Sequence, residues 1–471
     1  MSAPTHNYEL VVIGAGPAGH KAAIQAANAG HRVLLVDRDP TPGGECVHRG
    51  TIPSKTLRES ALYLAGLKQR AAGIATAELG ASTKVESLMK RVKHVQHAHE
   101  QFMRGQIERP GVEFVRGRAR FTSAHELELA QPGGKKRLVT SDFFVIATGS
   151  RPRQPAEMQI DHEQILDSDS ILSLIYLPQS LTVLGAGVIA CEFATIFQAL
   201  GVRVTMIDKS ARPLGFLDAE ITDRFVKVFQ SLGGTWLPGK KPVSCRFDGI
   251  SGSVTTLEDD SVIVSEKTLV ALGRTASVAG LNLEALGLAV NERGYIPVDA
   301  NMRTKAEHVY AAGDVIGPPA LAASAMEQGR RAARHMFGLS LHTTSEMIPS
   351  GIYTIPEMSC VGISEDEAKK RFGSALVGRA YFSELARGQI SGDVDGMLKL
   401  VAEPGTGKVL GAQILGEGST ELIHLAQMAM VGGMTVDTFV DNVFNFPTLA
   451  EAYRVAALEC IAQRATLRLA S

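Results

Sequence analysis

Long apolar runs are absent from this 471-residue sequence, and so is any surplus of charge of one sign. No uninterrupted stretch of about 18 apolar residues occurs, which argues against a transmembrane helix. Lys plus Arg number 48 against 49 Asp plus Glu, a net charge of -1, so no global field draws the chain to nucleic acid or to anionic lipid. Cysteine is scarce. Cys46, Cys191, Cys245, Cys360 and Cys460 form no C-x-x-C pair, which speaks against a disulfide-stapled secreted domain or a zinc site and suits a reducing compartment. The opening MSAPTHNYELVVIGAG lacks a basic n-region and its apolar run is broken by glycine, so it does not read as a signal peptide; a cytoplasmic location is expected. What is present is ordinary globular material, 45% hydrophobic and 21% charged. The length suits roughly three domains.

The strongest internal feature is a near-repetition: YELVVIGAGPAGHKAAIQAANAGHRVLLVD at 8–37 and QSLTVLGAGVIACEFATIFQALGVRVTMID at 179–208. Each copy reads as buried strand, glycine turn, helix, second strand and terminal acid, a complete parallel βαβ unit. The expected fold class is therefore α/β, with two Rossmann-like dinucleotide-binding domains. In the first copy Gly14, Gly16 and Gly19 form G-x-G-x-x-G, which brings backbone N–H groups and a helix N-terminus to a pyrophosphate, and Asp37 is placed to accept ribose hydroxyls. In the second, Gly185, Gly187 and Ala190 give the G-x-G-x-x-A variant and Asp208 takes the acid position, which suits the 2′-hydroxyl of NAD. Lys209 and Arg212 follow and could pair with the 2′-phosphate of NADP, although such charges are more often merely solvated.

Between the copies, Val85, Leu88, Met89, Val92 and Val95 predict a long helix over 82–108, followed by the strand-like VEFVRGRARF. Two strand-and-glycine segments, FFVIATGSRP at 143–152 and TLVALGRTAS at 268–277, read as crossings between domains; they carry Thr148, Gly149 and Gly273. From about Met347 the strands GIYTIPEMSCVGIS, GMLKLVAE and KVLGAQILG, then helices, predict an α+β C-terminal domain. His94, His97 and His99 on the long helix, unaccompanied by carboxylate or cysteine, read as a solvated face rather than a metal site. The basic runs GKKR at 134–137 and AKKRF at 368–372 read as surface.

With the two fingerprints, PGGECVHRGTIPSK at 42–55, TKAEHVYAAGDV at 304–315 and TIPEMSCVG at 354–362, the whole chain resembles the flavoprotein disulfide reductase superfamily, of which dihydrolipoamide dehydrogenase and glutathione reductase are members. The resemblance implies an FAD-binding domain at 1–150 and 273–346, an NAD(P)-binding domain at 151–272 and a dimerisation domain at 347–471 that pairs subunits into a homodimer or larger homo-oligomer. It also implies that Gly43, Gly44, Gly313 and Asp314 approach FAD, with Asp314 on the ribityl chain. Cys46, Thr51, Thr148 and Gly149 then face the flavin, and Gly273 the nucleotide crossing. Lys55 matches the lysine beside flavin N5 and Glu192 its ion-pair partner. By itself Lys55, one turn into a helix opened by Pro53, would read as solvated surface.

Two departures bear on function. The superfamily's G-G-x-C-x-x-x-x-C has Cys46 here but Thr51 at the second position, and a hydroxyl cannot form or resolve a disulfide. The His-Pro that shuttles protons at the thiols corresponds to Phe446-Pro447, and a phenyl ring has no titratable proton. Glu451 remains, but Thr448-x-x-Glu451 also reads as a capping box. This pattern, with GIYTIPEMSCVG, LARGQI and ELIHLAQMAM, is similar to the transhydrogenase branch of the superfamily, apart from Arg49, where that branch suggests an aromatic residue, and the NAD-like Asp208. The resemblance implies ping-pong hydride exchange between NAD(H) and NADP(H) through FAD, catalysed with Lys55 and Glu192. Three alternatives stand beside it: an NAD(P)H-dependent quinone or dye reductase, a redox cycle on the single Cys46, and a non-catalytic subunit of a dehydrogenase complex.

Overall fold

The computed structural model describes residues 6–71, 85–250, 252–341 and 347–470. Residues 1–5 and 82–84, on which parts of the N-terminal and long-helix readings fall, and 342–346, next to the expected domain boundary at 346/347, lie outside them.

The first fingerprint forms β1 (Tyr8–Ile13), α1 (Pro17–Asn28) and β2 (Val33–Asp37), followed by α2 (Gly44–His48), α3 (Thr51–Ala71), α4 (Val85–Glu108), β3 (Glu113–Arg116), β4 (Arg118–Ser123), β5 (Glu126–Ala130) and β6 (Lys136–Ile146). β1 pairs in parallel with β2 and with the second half of β6, and β3 extends the row beyond β2. The first half of β6 instead closes an antiparallel meander with β5 and β4. Leu10, Val11 and Val12 are fully buried, as expected of a strand covered on both faces. The inward face of α1 is Ala18, Ala22, Ala23 and Ala26, small side chains that let neighbouring backbone come close.

The chain leaves through β7 (Ser150–Pro152) and builds the second unit from β8 (Ile165–Leu166), β9 (Ser180–Leu184), α5 (Val188–Ala199), β10 (Arg203–Asp208), α6 (Ala219–Ser231), β11 (Thr235–Pro238), β12 (Pro242–Phe247), β13 (Ser253–Leu257), β14 (Val262–Ser265) and β15 (Lys267–Val270). Its parallel sheet runs β11-β10-β9-β15-β8, with β12-β13-β14 as a separate antiparallel sheet. β16 (Arg274–Ala276) carries the chain back. The two crossings, β16 and β7, pair with each other in antiparallel register, Arg151 opposite Thr275. β17 (Val309–Ala311) then rejoins the first sheet beside β6, and α7 (Ala322–Met336) packs on α1 so closely that a Cβ on Gly329 would lie 2.0 Å from the Ala18 carbonyl oxygen.

The C-terminal domain contains β18 (Ser350–Ile352), β19 (Met358–Gly362), α8 (Glu365–Phe372), β20 (Leu376–Tyr381), α9 (Ala386–Ser391), β21 (Met397–Ala402), β22 (Val409–Leu415), α10 (Ser419–Val431), α11 (Asp437–Asp441) and α12 (Glu451–Ala470), with an antiparallel sheet ordered β18-β19-β22-β21-β20. Helices α8 and α9 and strand β20 interrupt what the sequence suggested was one hairpin-like run. Ser364 caps α8 by accepting from the Glu367 N–H, and Gly373 ends it at φ +79°. The capping box at Thr448 does not form: α12 begins at Glu451 itself, and the Thr448 hydroxyl donates to the Asn445 carbonyl. Four of the six charges of AKKRF and GKKR are paired, Lys369 with Glu365, Arg371 with Glu367, Lys136 with Glu128 and Arg137 with Glu113. Of the α4 histidines, His97 does have a carboxylate neighbour, Glu100 at 3.8 Å, which is held at 3.1 Å by His48 of α2.

One buried base in this frame sets an acid limit. His20 of α1 is enclosed, with Nε2 3.1 Å from the Met103 carbonyl, and burial lowers its pKa from 6.5 to about 4. The unfolded chain takes up this proton below 6.5 while the folded chain refuses it until about 4, so stability falls as pH drops through that window, by roughly 3 kcal/mol in all. Urea unfolding of His20→Gln should lose that part of the slope; an unchanged pH profile would refute the assignment.

Candidate active site

Both glycine turns are dictated by backbone crowding. Gly14 sits at φ +107°, where a Cβ would lie 2.2 Å from the Ala147 carbonyl oxygen, because β1 and β6 end side by side there. Gly44, at φ +56°, brings the 42–44 loop onto the first turn; a Cβ would lie 2.7 Å from the Gly16 Cα. Neither place admits a side chain. In the second unit Gly185 is hemmed in by the Ala271 carbonyl in the same way, whereas Gly187 has no atom within 4 Å of a Cβ and stands open.

The two turns open onto one cavity of about 1930 Å³. That is about twice the upper end for a pocket holding one small ligand, and space on this scale suits two dinucleotides. Gly14, Gly16, Asp37 and Gly44 line its first lobe, together with Thr148, Gly149, Gly313 and Asp314. Gly185, Gly187, Asp208 and Gly273 line the other lobe, and Cys46, Thr51, Lys55 and Glu192 also face the cavity. Three expected residues do not reach it. Gly19 faces the Gly14 carbonyl, Gly43 is covered by Val47, and Ala190 is fully buried in α5, so each shapes a turn or a packing surface rather than the wall.

Asp37 ends β2 with Oδ2 accepting from the Ala15 N–H at 2.6 Å and Oδ1 from the Asp39 N–H at 2.9 Å. Burial raises its pKa, and these two bonds pull it back toward the ionised form. Asp314 accepts from the Ser150 hydroxyl at 2.6 Å, which in turn accepts from Arg274 Nε at 2.7 Å, so the crossing strands β7 and β16 hold that carboxylate. Arg274 carried no signal in the sequence. Asp208 accepts from the Ser210 N–H at 2.7 Å, and Lys209 lies beside it on the cavity wall together with Lys241. Arg212 is not offered to a nucleotide: its guanidinium is bidentate to Asp223 at 2.6 and 3.1 Å.

At the centre, Lys55 of α3 donates from Nζ to Glu192 Oε2 of α5 at 2.6 Å, and its ammonium stands 4.9 Å from the Tyr353 ring centroid. The other Glu192 oxygen accepts from the Tyr353 N–H at 2.9 Å. Tyr353 immediately precedes the 354–362 motif but was not singled out by sequence. Cys46 is a free thiol with a hydrogen bond from Thr51. Burial pushes its pKa up, outweighing the help of Thr51 and Lys55, so the thiol stays protonated near neutrality. Phe446 is apart from these groups: it does not line the cavity and is 75% exposed on the C-terminal domain.

The first lobe fits FAD on structural grounds. Its wall is bare backbone at Gly16 and Gly44, and the Thr148 hydroxyl that faces it is buried with no partner among the described residues. Two dinucleotide turns on a shared cavity with an ordered lysine between them define a two-nucleotide flavoprotein oxidoreductase. Residues 8–329 match the family described as pyridine nucleotide-disulphide oxidoreductase, and 348–457 match the dimerisation domain of the same family. The chain is 44% identical over 460 residues to a soluble pyridine nucleotide transhydrogenase of Mycobacterium tuberculosis, covering 96% of this chain and 97% of that one. It is 39% identical over 461 residues to a protein of the same name from Vibrio vulnificus, covering 97% and 98%. Among solved structures, LpdA from Mycobacterium tuberculosis aligns with a TM-score of 0.89 at 26% identity, covering 95% of this chain and 99% of that one. The HOCl-induced flavoprotein disulfide reductase RclA from Escherichia coli, as its Cu(II) complex, aligns at 0.87 and 26%, covering 96% and 99%. The chain belongs to the FAD-binding pyridine nucleotide-disulphide oxidoreductases, and within them to the soluble pyridine nucleotide transhydrogenases.

The contrast between the turns is testable. Gly14→Ala places a methyl into backbone at a positive φ and should lower folding stability by about 1–3 kcal/mol or more, with or without added flavin. Gly187→Ala meets only open space and should melt like the native protein yet bind NAD(H) more weakly. Thermal unfolding and nucleotide titration separate the two; equal melting losses would contradict the geometry.

Proposed function

We propose that this protein exchanges hydride between NAD(H) and NADP(H), each nucleotide occupying the same site in turn, in ping-pong order and without a redox-active disulfide. Bound FAD supplies the two-electron redox chemistry that allows the nucleotides to react successively. The observation that carries the reading is the pairing of an ordered Lys55–Glu192 ion pair with a Cys46–Thr51 site that has one thiol and no second. Charge stabilisation is retained where the thiol relay is not.

In this reading the first turn, with Asp37, Thr148 and Asp314, holds FAD, and the domain that does so is assembled from residues 1–150 and 273–346. The second turn and Asp208, within 151–272, hold the nicotinamide nucleotide, with Gly273 at the border of that domain. Lys55 fixes a positive charge at the reacting end of the cavity, and Glu192 holds the lysine in place through its bond to Tyr353. Cys46 stays a neutral thiol that fills space beside Thr51. The C-terminal domain makes a homodimer through a face that includes Val443, 94% exposed, and Phe446. Among the described residues no helix is long and apolar enough to cross a membrane, and a cytoplasmic location is part of the same proposal.

Mixing the purified protein anaerobically with NADPH and thio-NAD+ should give flavin-dependent thio-NADH, with parallel double-reciprocal plots and no turnover of lipoamide or glutathione disulfide. Cys46→Ser should stay within about twofold of the native rate, because the protonated thiol takes no part. Lys55→Met should lose about a hundredfold. Absence of exchange with quinone still reduced by NADH would replace this reading with the quinone reductase.

A further inference from the structure

Three residues beyond Lys55, on the next turn of α3, Arg58 is completely buried, and it does not line the cavity. Its Nε donates to the Thr354 carbonyl at 2.9 Å. Its forks meet Glu357 at 3.2 Å and Glu417 at 2.9 Å, and Glu59 of its own helix at 2.9 Å. Glu357 in turn accepts from the Thr420 hydroxyl at 3.0 Å. One guanidinium therefore fixes the 353–357 loop and the 416–420 loop of the C-terminal domain to the helix that carries Lys55.

The 353–357 loop bears directly on the lysine. Tyr353, adjacent to the carbonyl that Arg58 holds, supplies the N–H to Glu192 and the ring over Lys55. We infer that Arg58 is a positioning residue: by anchoring Thr354 and Glu357 it sets Tyr353 against Glu192 and Lys55, and so fixes where the ammonium charge stands in the active cavity. A lysine at 58 would keep the charge but could not donate to the Thr354 carbonyl and to both carboxylates in the planar fork arrangement. This inference rests on the reading of Lys55 given above.

The test uses the FAD-loaded protein with Arg58→Lys, Glu357→Gln and Lys55→Met. Anaerobic stopped-flow measures flavin reduction by NADPH, equilibrium titration measures the flavin reduction potential, and thermal melting is recorded throughout. Arg58→Lys should slow flavin reduction by about ten- to hundredfold, since a displaced charge misaligns the reacting groups. It should leave the apparent nucleotide dissociation constant within about twofold, as the nucleotide lobe is untouched. It should also shift the potential negative, because the reduced, more anionic flavin loses a fixed positive neighbour. Glu357→Gln should move rate and potential in the same direction and stands in where the Arg58 variant does not fold. Lys399→Met, which removes an equally buried cation outside the cavity, should lower the melting temperature without moving the potential. Native rate and potential in both Arg58→Lys and Glu357→Gln, with only melting affected, overturn the inference. If Lys55→Met shifts rate and potential while those two do not, Arg58 alone is misassigned; if Lys55→Met is silent, the reading of Lys55 itself fails.

Discussion

A single buried carboxylate ties the molecule together. Glu192 is nearly inaccessible, and burying an ionised carboxylate is tolerated only when charge and hydrogen bonds meet it. Its two oxygens are taken by Lys55 from the first unit and by the Tyr353 N–H from the C-terminal domain, while Glu192 itself belongs to the second unit. All three domains therefore have to be docked for that charge to be satisfied. The place where they meet is the place where the Lys55 ammonium faces the cavity.

Other buried charges reinforce the same docking. Lys399 of β21, 3% exposed, is surrounded by Asp218 at 2.9 Å, Glu220 at 3.1 Å and Glu365 at 2.7 Å, so the second unit supplies two of the three carboxylates around a buried ammonium of the C-terminal domain. Around it Arg379 pairs with Glu220 at 2.8 Å, and the Asp218 N–H donates to Gln413 at 2.8 Å. Apolar packing shares the task between α3, α4 and α5, where Leu57, Ala61, Leu88, Val92 and Ile196 form one cluster. Buried ion pairs of this kind add modest net stability but penalise misplacement heavily. They suit a protein whose function needs fixed relative positions of two nucleotide lobes more than it needs a large stability margin.

At the first fingerprint turn the cavity wall follows from backbone proximity. Strand ends at Gly14 and Ala147, and loop against turn at Gly16 and Gly44, leave room only for N–H groups and Cα atoms. A pyrophosphate can then meet the chain at hydrogen-bonding distance, with the first turn of a helix behind it. Three of the acids that face the cavity are tethered: Asp37 by two backbone N–H groups, Asp314 through Ser150 to Arg274, Asp208 by the Ser210 N–H. Such tethering lowers the reorganisation needed when a ligand binds.

The sequence by itself determined the parts whose signals are local. The repeated strand-glycine-helix-strand-acid pattern gave both dinucleotide units, because alternation of buried strand and amphipathic helix is written within about 30 residues. It gave the turn glycines, and the matching of short motifs gave Lys55 with Glu192 before any distance was known. At Leu376–Tyr381 in β20, where LVGRAY shows no regular alternation, and at Thr448 before α12, local reading misjudged the element. Only the tertiary structure decided which side chains meet: that β7 and β16 pair with each other, that Arg274 reaches Asp314 through Ser150, that Arg212 is spent on Asp223, and that Tyr353 closes on Lys55. These partners lie up to 298 residues apart in the pair Lys55 and Tyr353. Periodicity and turn chemistry carry no information over such separations, so the docking of three domains around one carboxylate had to be seen in space.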